Sequence, residues 1–178
     1  MGVISELVRA ELDRHDWDAL RCGCGGTAGH VPTMFEAIIE AGTPGDMVGH
    51  TLDNHLEVGT NLFEVSVPAV GVLLAALAGD LSPLARAEFM ITLWRLASGE
   101  SHSTEVAAGR AGLGDECRAG CREGLWVVGR TGLTGSADEA EMAADIVEFI
   151  DLDEERSAYY QPLLRDRTRT KTKRRRAV

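Results

Sequence analysis

Fifteen uncharged residues stand in a row from Val65 to Gly79, reading V-S-V-P-A-V-G-V-L-L-A-A-L-A-G, before Asp80 breaks the run. A transmembrane helix needs about 20 apolar residues, so the stretch is too short to span a bilayer. A helix that is apolar on every side must be covered on most of its circumference by the rest of the chain. The spacing therefore predicts a central core helix, with Leu74 and Leu77 buried between its neighbours. Aromatic residues are scarce, with four Phe, three Trp and two Tyr in 178 residues, while Ala, Leu and Glu are plentiful. Those three lose little side-chain freedom in a helix, so the expected class is all-α. A chain of this length fits one domain with a sizeable core of its own.

Helical periodicity extends along most of the chain. Ile4, Leu7, Val8 and Leu12 predict an amphipathic helix from Ser5 to about His15. The glycine-rich stretch from Arg21 to His30 reads as a loop, and Val31-Pro32 opens the next helix with proline in its first turn. A longer helix is expected from Asp46 to Glu64, with a weak point at Gly59. Ser82-Pro83 reads as a cap and first turn, and Ser98 to Gly114 as a long loop. One helix is expected from Asp115 to about Arg130, where Gly120 and Gly124 would admit a neighbouring backbone. Ser136 and Glu139 form a capping-box pattern ahead of another helix, and a last short one is expected before Leu164. Residues 1–164 are thus read as a single helical domain and 165–178 as a disordered basic tail, since alternating Arg and Thr offer nothing to bury.

Charge divides along the same line. Eight of the eighteen basic residues lie after position 164, leaving ten against 27 acidic residues in 1–164, a net charge of −17 (10 minus 27). Such a body repels nucleic-acid phosphate and suits a basic protein partner, because complementary fields speed association. The tail by itself favours phosphate, which keeps a nucleic-acid-associated role as an alternative. The N-terminus lacks the basic-then-apolar order of a signal peptide, so a cytoplasmic location with reduced thiols and no membrane association is expected.

Val31-Pro-Thr-Met-Phe-Glu-Ala-Ile-Ile-Glu-Ala41 recurs, 36 positions later, as Val67-Pro-Ala-Val-Gly-Val-Leu-Leu-Ala-Ala-Leu77. A proline-initiated helix repeating at such a period is the pattern of stacked helical hairpins. Over residues 17 to 130 the chain resembles the HEAT-like repeat family, in particular small bacterial members with a V-P-A-V-x-x-L-L-x-x-L segment. The resemblance implies a short α-solenoid of seven or eight helices that binds other macromolecules. Proteins of broadly similar build include toxin-neutralising immunity proteins. The pattern departs from the family near position 104, where a third proline-initiated copy would fall.

Four features carry potential chemistry. Cys22-Gly-Cys24, with His30 close by, offers zinc ligands that Cys117 and Cys121 could complete, but C-x-C followed distantly by C-x3-C is not a finger or ribbon spacing. The four cysteines are therefore read as structural thiols, with no metal ligand and no cofactor assigned, and the surrounding glycines as a turn. His50, Asp53, Asn54 and Glu57 would share one polar face of the expected 46–64 helix. His102 and Glu105 read as loop polarity. The leading reading is a non-enzymatic protein-binding module contacting its partner through Asp53, Asn54, Glu57 and Glu64, with no catalytic residue. The alternative of a different class is a thiol- or metal-dependent enzyme built on the Cys22/Cys24 loop.

Overall fold

The computed structural model describes residues 4–175, with side chains through residue 167. Among the described residues it holds nine helices: α1 (Glu6–Asp13), α2 (Val31–Glu40), α3 (Ser66–Ala78), α4 (Pro83–Ser98), α5 (Ser103–Ala107), α6 (Leu113–Glu123), α7 (Leu125–Thr134), α8 (Ala137–Ile150) and α9 (Glu154–Arg175). Three two-residue strands, β1 (Glu57–Val58), β2 (Asn61–Leu62) and β3 (Glu100–Ser101), add a small sheet. The fold is all-α with this minor addition, as the composition predicts.

The apolar run from Val65 forms α3, whose principal neighbours are α1, α4, α6 and α7. Leu73, Leu74 and Leu77 are all buried, as expected of a helix enclosed by others. α4 begins where the sequence marks it, with the Ser82 hydroxyl accepting from the Ala85 amide at 3.1 Å. α8 begins on the reciprocal capping box of Ser136 and Glu139. Glu139 also reaches across to α4, where Arg86 Nε donates to it at 2.6 Å and ties the two helices together.

Several expectations are corrected. The 46–64 segment is no helix: a 3-10 turn spans Pro44–Met47, and the chain then forms the β1–β2 hairpin. β2 next pairs in parallel with β3, so the expected Ser98–Gly114 loop in fact contains a strand and α5. Four residues in the left-handed region, Gly49, Asn54, Gly59 and Thr60, interrupt any helix there, and β-branched Val58 favours the extended backbone of β1. The expected Asp115–Arg130 helix is two helices meeting at Gly124, and what fills the space beside Gly120 and Gly124 is the side chains of Val70 and Leu74 rather than a backbone. α9 continues to Arg175, across most of the stretch expected to be disordered, and residues 176–178 lie outside the described residues. Both Val-Pro copies do open helices, α2 and α3, but a hairpin rather than a helix precedes α3.

Two largely irregular segments, 14–30 and 41–65, flank α2 and lie against each other. Trp17 fastens the first, donating from Nε1 to the Leu12 carbonyl at 2.7 Å and packing its ring on Phe35 of α2. Phe35 in turn meets Phe89 of α4 with centroids 5.8 Å apart, which joins this loop layer to the helical core.

Candidate metal centre

The loop that begins at Arg21 is a tight hairpin. Arg21 and Thr27 form an isolated antiparallel bridge, the Cys22 amide donates to the Gly26 carbonyl at 3.0 Å, and the Gly25 amide donates to the Cys22 carbonyl at 3.0 Å. Gly25 sits at φ +87°, a conformation that side chains disfavour. Gly23 is required for a different reason: a Cβ there would lie 2.8 Å from the Asn54 carbonyl oxygen and 2.9 Å from the Phe63 ring. The hairpin therefore presses directly on residues 54–63, and the Gly23 amide donates to the His55 carbonyl at 2.8 Å.

That contact delivers a ligand the sequence did not group with the others. Cys22, Cys24, His30 and His55 bring one donor atom each to within 4.8 Å of all the rest. Cys22 Sγ lies 3.3 Å from His55 Nδ1 and 3.7 Å from His30 Nε2. Around a tetrahedral zinc ion, with nitrogen at ~2.0–2.1 Å and sulfur at ~2.3 Å, donors stand about 3.3–3.8 Å apart. The two sulfur–nitrogen distances match that spacing. His30 Nε2 and His55 Nδ1 are 2.8 Å apart, a hydrogen-bond length with one ring donating, and they would separate by about 0.5 Å to share an ion.

Each ligand is placed by a distinct local device. Cys22 is buried at the base of the hairpin, Cys24 is exposed at its tip, and His30 precedes α2. His55 is held by its own amide, which donates to the Leu52 carbonyl at 3.2 Å, and follows Asn54, whose φ of 64° turns the chain. Burial pushes the Cys22 thiol up to about 11, and the neighbouring Cys24 thiol adds to the effect. Burial and the adjacent His30 lower His55, which keeps its imidazole in the neutral form that binds metal. An ion would offset the burial penalty of the Cys22 thiolate directly. Two Cys and two His are the donor set of structural zinc sites, and four protein donors complete a tetrahedron.

The other cysteines stand apart from this cluster. Cys117 and Cys121 are buried free thiols on α6, both pushed upward by burial, Cys121 to about 12. They are core residues, as the sequence reading has them. The four residues expected to form an acidic contact face do not share a helix. Glu57 is buried, accepting from the Thr60 amide at 2.7 Å and from Arg95 at 3.4 Å, with Asp53 of the same group 4.0 Å from Arg95. Glu64 is bound by Arg110 at 2.8 Å and Arg21 at 3.2 Å, and of the four only Asn54 is exposed as a residue. Glu57 and Glu64 thus spend their charge inside the fold.

Glu105, read from sequence as loop polarity, is almost completely buried and takes a bidentate grip from Arg21 at 3.0 and 2.7 Å. Arg21 immediately precedes Cys22, so α5 anchors the hairpin that carries two of the four ligands. His102 stacks on Phe63 at 4.8 Å and caps α5 through its Nδ1, which accepts from the Thr104 amide. His50 stays outside the cluster.

No known protein family, curated protein or solved structure matches the chain. Among the described residues no helix is long and apolar enough to cross a membrane.

Proposed function

We propose that this chain is a zinc-stapled, non-enzymatic helical module that works in the cytoplasm by binding another protein. The observation that carries the metal is the convergence of Cys22, Cys24, His30 and His55 within 4.8 Å from two loops that no long element holds in place. A closed set of four protein donors leaves no position for water or substrate, which is the arrangement of a structural rather than a catalytic zinc. The role follows from location: the ion would join the 22–30 loop to the 52–56 turn, two segments that lie outside the long helices. Four free thiols suit a reducing compartment. The acidic body supports a basic protein as partner.

Elemental analysis of the purified protein tests the metal. One zinc per chain is expected, lost in Cys22→Ser and in His55→Ala. Alkylation adds a second readout. In zinc-free protein the exposed Cys24 reacts first, and zinc protects it. Protein that takes up no zinc on titration, with Cys24 equally reactive in its presence, would sink this reading.

A further inference from the structure

A groove of about 850 Å³ opens between α1, α3 and α6, about as large as a binding site for a sizeable ligand. Its floor is apolar, formed by Val70, Leu74 and Ala75 of α3 with Gly120 of α6 and Val127 of α7. Leu7 of α1 contributes a side chain that is 53% exposed and lines the same groove. Ala75 and the exposed Ala119 keep the floor low between these anchors, while Gly71 is covered by the Glu11 carboxylate and Gly120 by the Val70 side chain. An open trough with apolar anchors along neighbouring helices is the receptor half of helix-in-groove recognition.

The rim selects the sign of the occupant. Five carboxylates border the groove: Glu11, Asp16, Glu64, Glu116 and Glu123. Three guanidinium groups oppose them, Arg14 and Arg110 in the lining and Arg21 beside it, which pairs with Glu64 at 3.2 Å, and this leaves a net charge of −2 (3 minus 5). Arg14 is bound to Glu11 at 3.3 Å, and Arg110 to Glu64 at 2.8 Å and Glu116 at 3.0 Å. Glu11 leans over the floor, with its carboxylate 2.5 Å from where a Cβ on Gly71 would stand. His15 adds little charge near neutrality, since burial and Arg14 lower it. An anionic amphiphile such as a fatty acid would meet this rim as repulsion.

We infer that this groove binds an amphipathic helix with basic flanks supplied by a partner protein. The partner is not a second copy of the chain acting through its own basic segment, because residues 165–176 contain no apolar residue to fill the floor. The inference names the partner chemistry for the protein-binding reading above and does not depend on the metal.

Anisotropy of a labelled peptide of about 18 residues, five turns long, tests it. The peptide carries leucine along one face and lysine on the flanks. Two controls replace the lysines by glutamate or the leucines by serine. The wild-type protein is expected to bind the leucine–lysine peptide, roughly tenfold or more weakly at high salt, and to bind neither control comparably. Ala119→Trp fills the groove from an exposed position, and Glu123→Lys reverses an exposed rim charge. Each should weaken binding by about tenfold with an unchanged circular dichroism spectrum. Failure to bind the peptide, equal binding by Ala119→Trp, or equal binding of the serine control overturns the proposal, as does tighter binding of the glutamate peptide or of a fatty acid. Zinc content measured on the same samples separates the two ideas. Zinc-free protein that binds the peptide removes only the staple, and zinc-loaded protein that does not bind removes the groove.

Discussion

Asp151 ends α8 and accepts from Arg156 Nε at 2.9 Å and from the Asp153 amide at 3.0 Å. The Arg156 hydrogen bond is the largest favourable influence, and it holds the Asp151 carboxyl below its ordinary value. A carboxylate with a lowered folded pKa stabilises the fold above its unfolded value of about 3.9 and loses that contribution as pH falls through the folded one. Asp151→Asn should therefore melt below wild type near neutrality, and the gap should close in melts below about pH 4. Glu139 is also lowered, held by Arg86 and Ser136 against its burial, but it is present in both proteins and cancels from the comparison. A gap that stayed constant or widened into acid would contradict the assignment. The metal ligands show what a single residue reveals in sequence. Cys22, Cys24 and His30 stand within nine positions and carry zinc-type donors, but their spacing fits no finger or ribbon, so the cysteines read as structural thiols with no metal ligand assigned. His55 does not enter that group, because the helix expected over 46–64 is read by its face of His50, Asp53, Asn54 and Glu57. The signal that could have found it is the glycine at 23, which has to be there only because residues 54–63 press on it.

Between elements, a glycine tests how closely α7 approaches α8. A Cβ on Gly132 would stand 2.5 Å from the Ala143 Cβ and 2.7 Å from Leu164 Cδ2. Alanine in place of glycine favours a helix by about 1 kcal/mol, but neither the Ala143 methyl nor the backbone behind it can swing aside. Overpacking should win, so Gly132→Ala is expected to destabilise by about 1–3 kcal/mol in denaturant titrations. Gly129, one turn earlier on α7, has nothing within 4 Å of its Cβ position. Gly129→Ala should instead stabilise, by up to about 1 kcal/mol. Equal effects at the two positions would mean that the α7–α8 contact is looser than described. The elements most legible in sequence are those with chemical stops. Ser82, Ser136 with Glu139, and the prolines of α2, α3 and α4 mark starts that the structure reproduces. The hairpin and β3 were illegible because two-residue strands show no alternation, and β3 finds β2 only across 39 positions (Asn61 with Glu100, 100 minus 61).

At the scale of the whole molecule, the helical half and the loop half differ in what holds them. α3, α4, α6 and α8 share a continuous apolar core that Trp17, Leu52, Leu56 and Leu62 of the loops also reach, but segments 14–30 and 41–65 meet each other through the Gly23–His55 hydrogen bond, an Arg21–Glu64 pair and the four candidate ligands. The core was legible because fifteen uncharged residues demand to be covered; the coupling of the two loops was not, because it depends on folding. If zinc binds only the folded chain, its binding energy adds to stability as RT ln(1 + [Zn]/Kd), about 1.4 kcal/mol for each tenfold rise in free zinc above Kd. For a domain of this size 1 kcal/mol corresponds to about 2–4 °C in Tm. Melts in zinc-buffered solutions should therefore rise by about 3–6 °C per decade of free zinc above Kd, with no such rise for magnesium, whose hard oxygen preference does not suit two thiolates and two imidazoles. His55→Ala should show a flat line across the same buffers. A Tm independent of zinc in the wild-type chain would show that the two loops are held by the protein's own contacts alone.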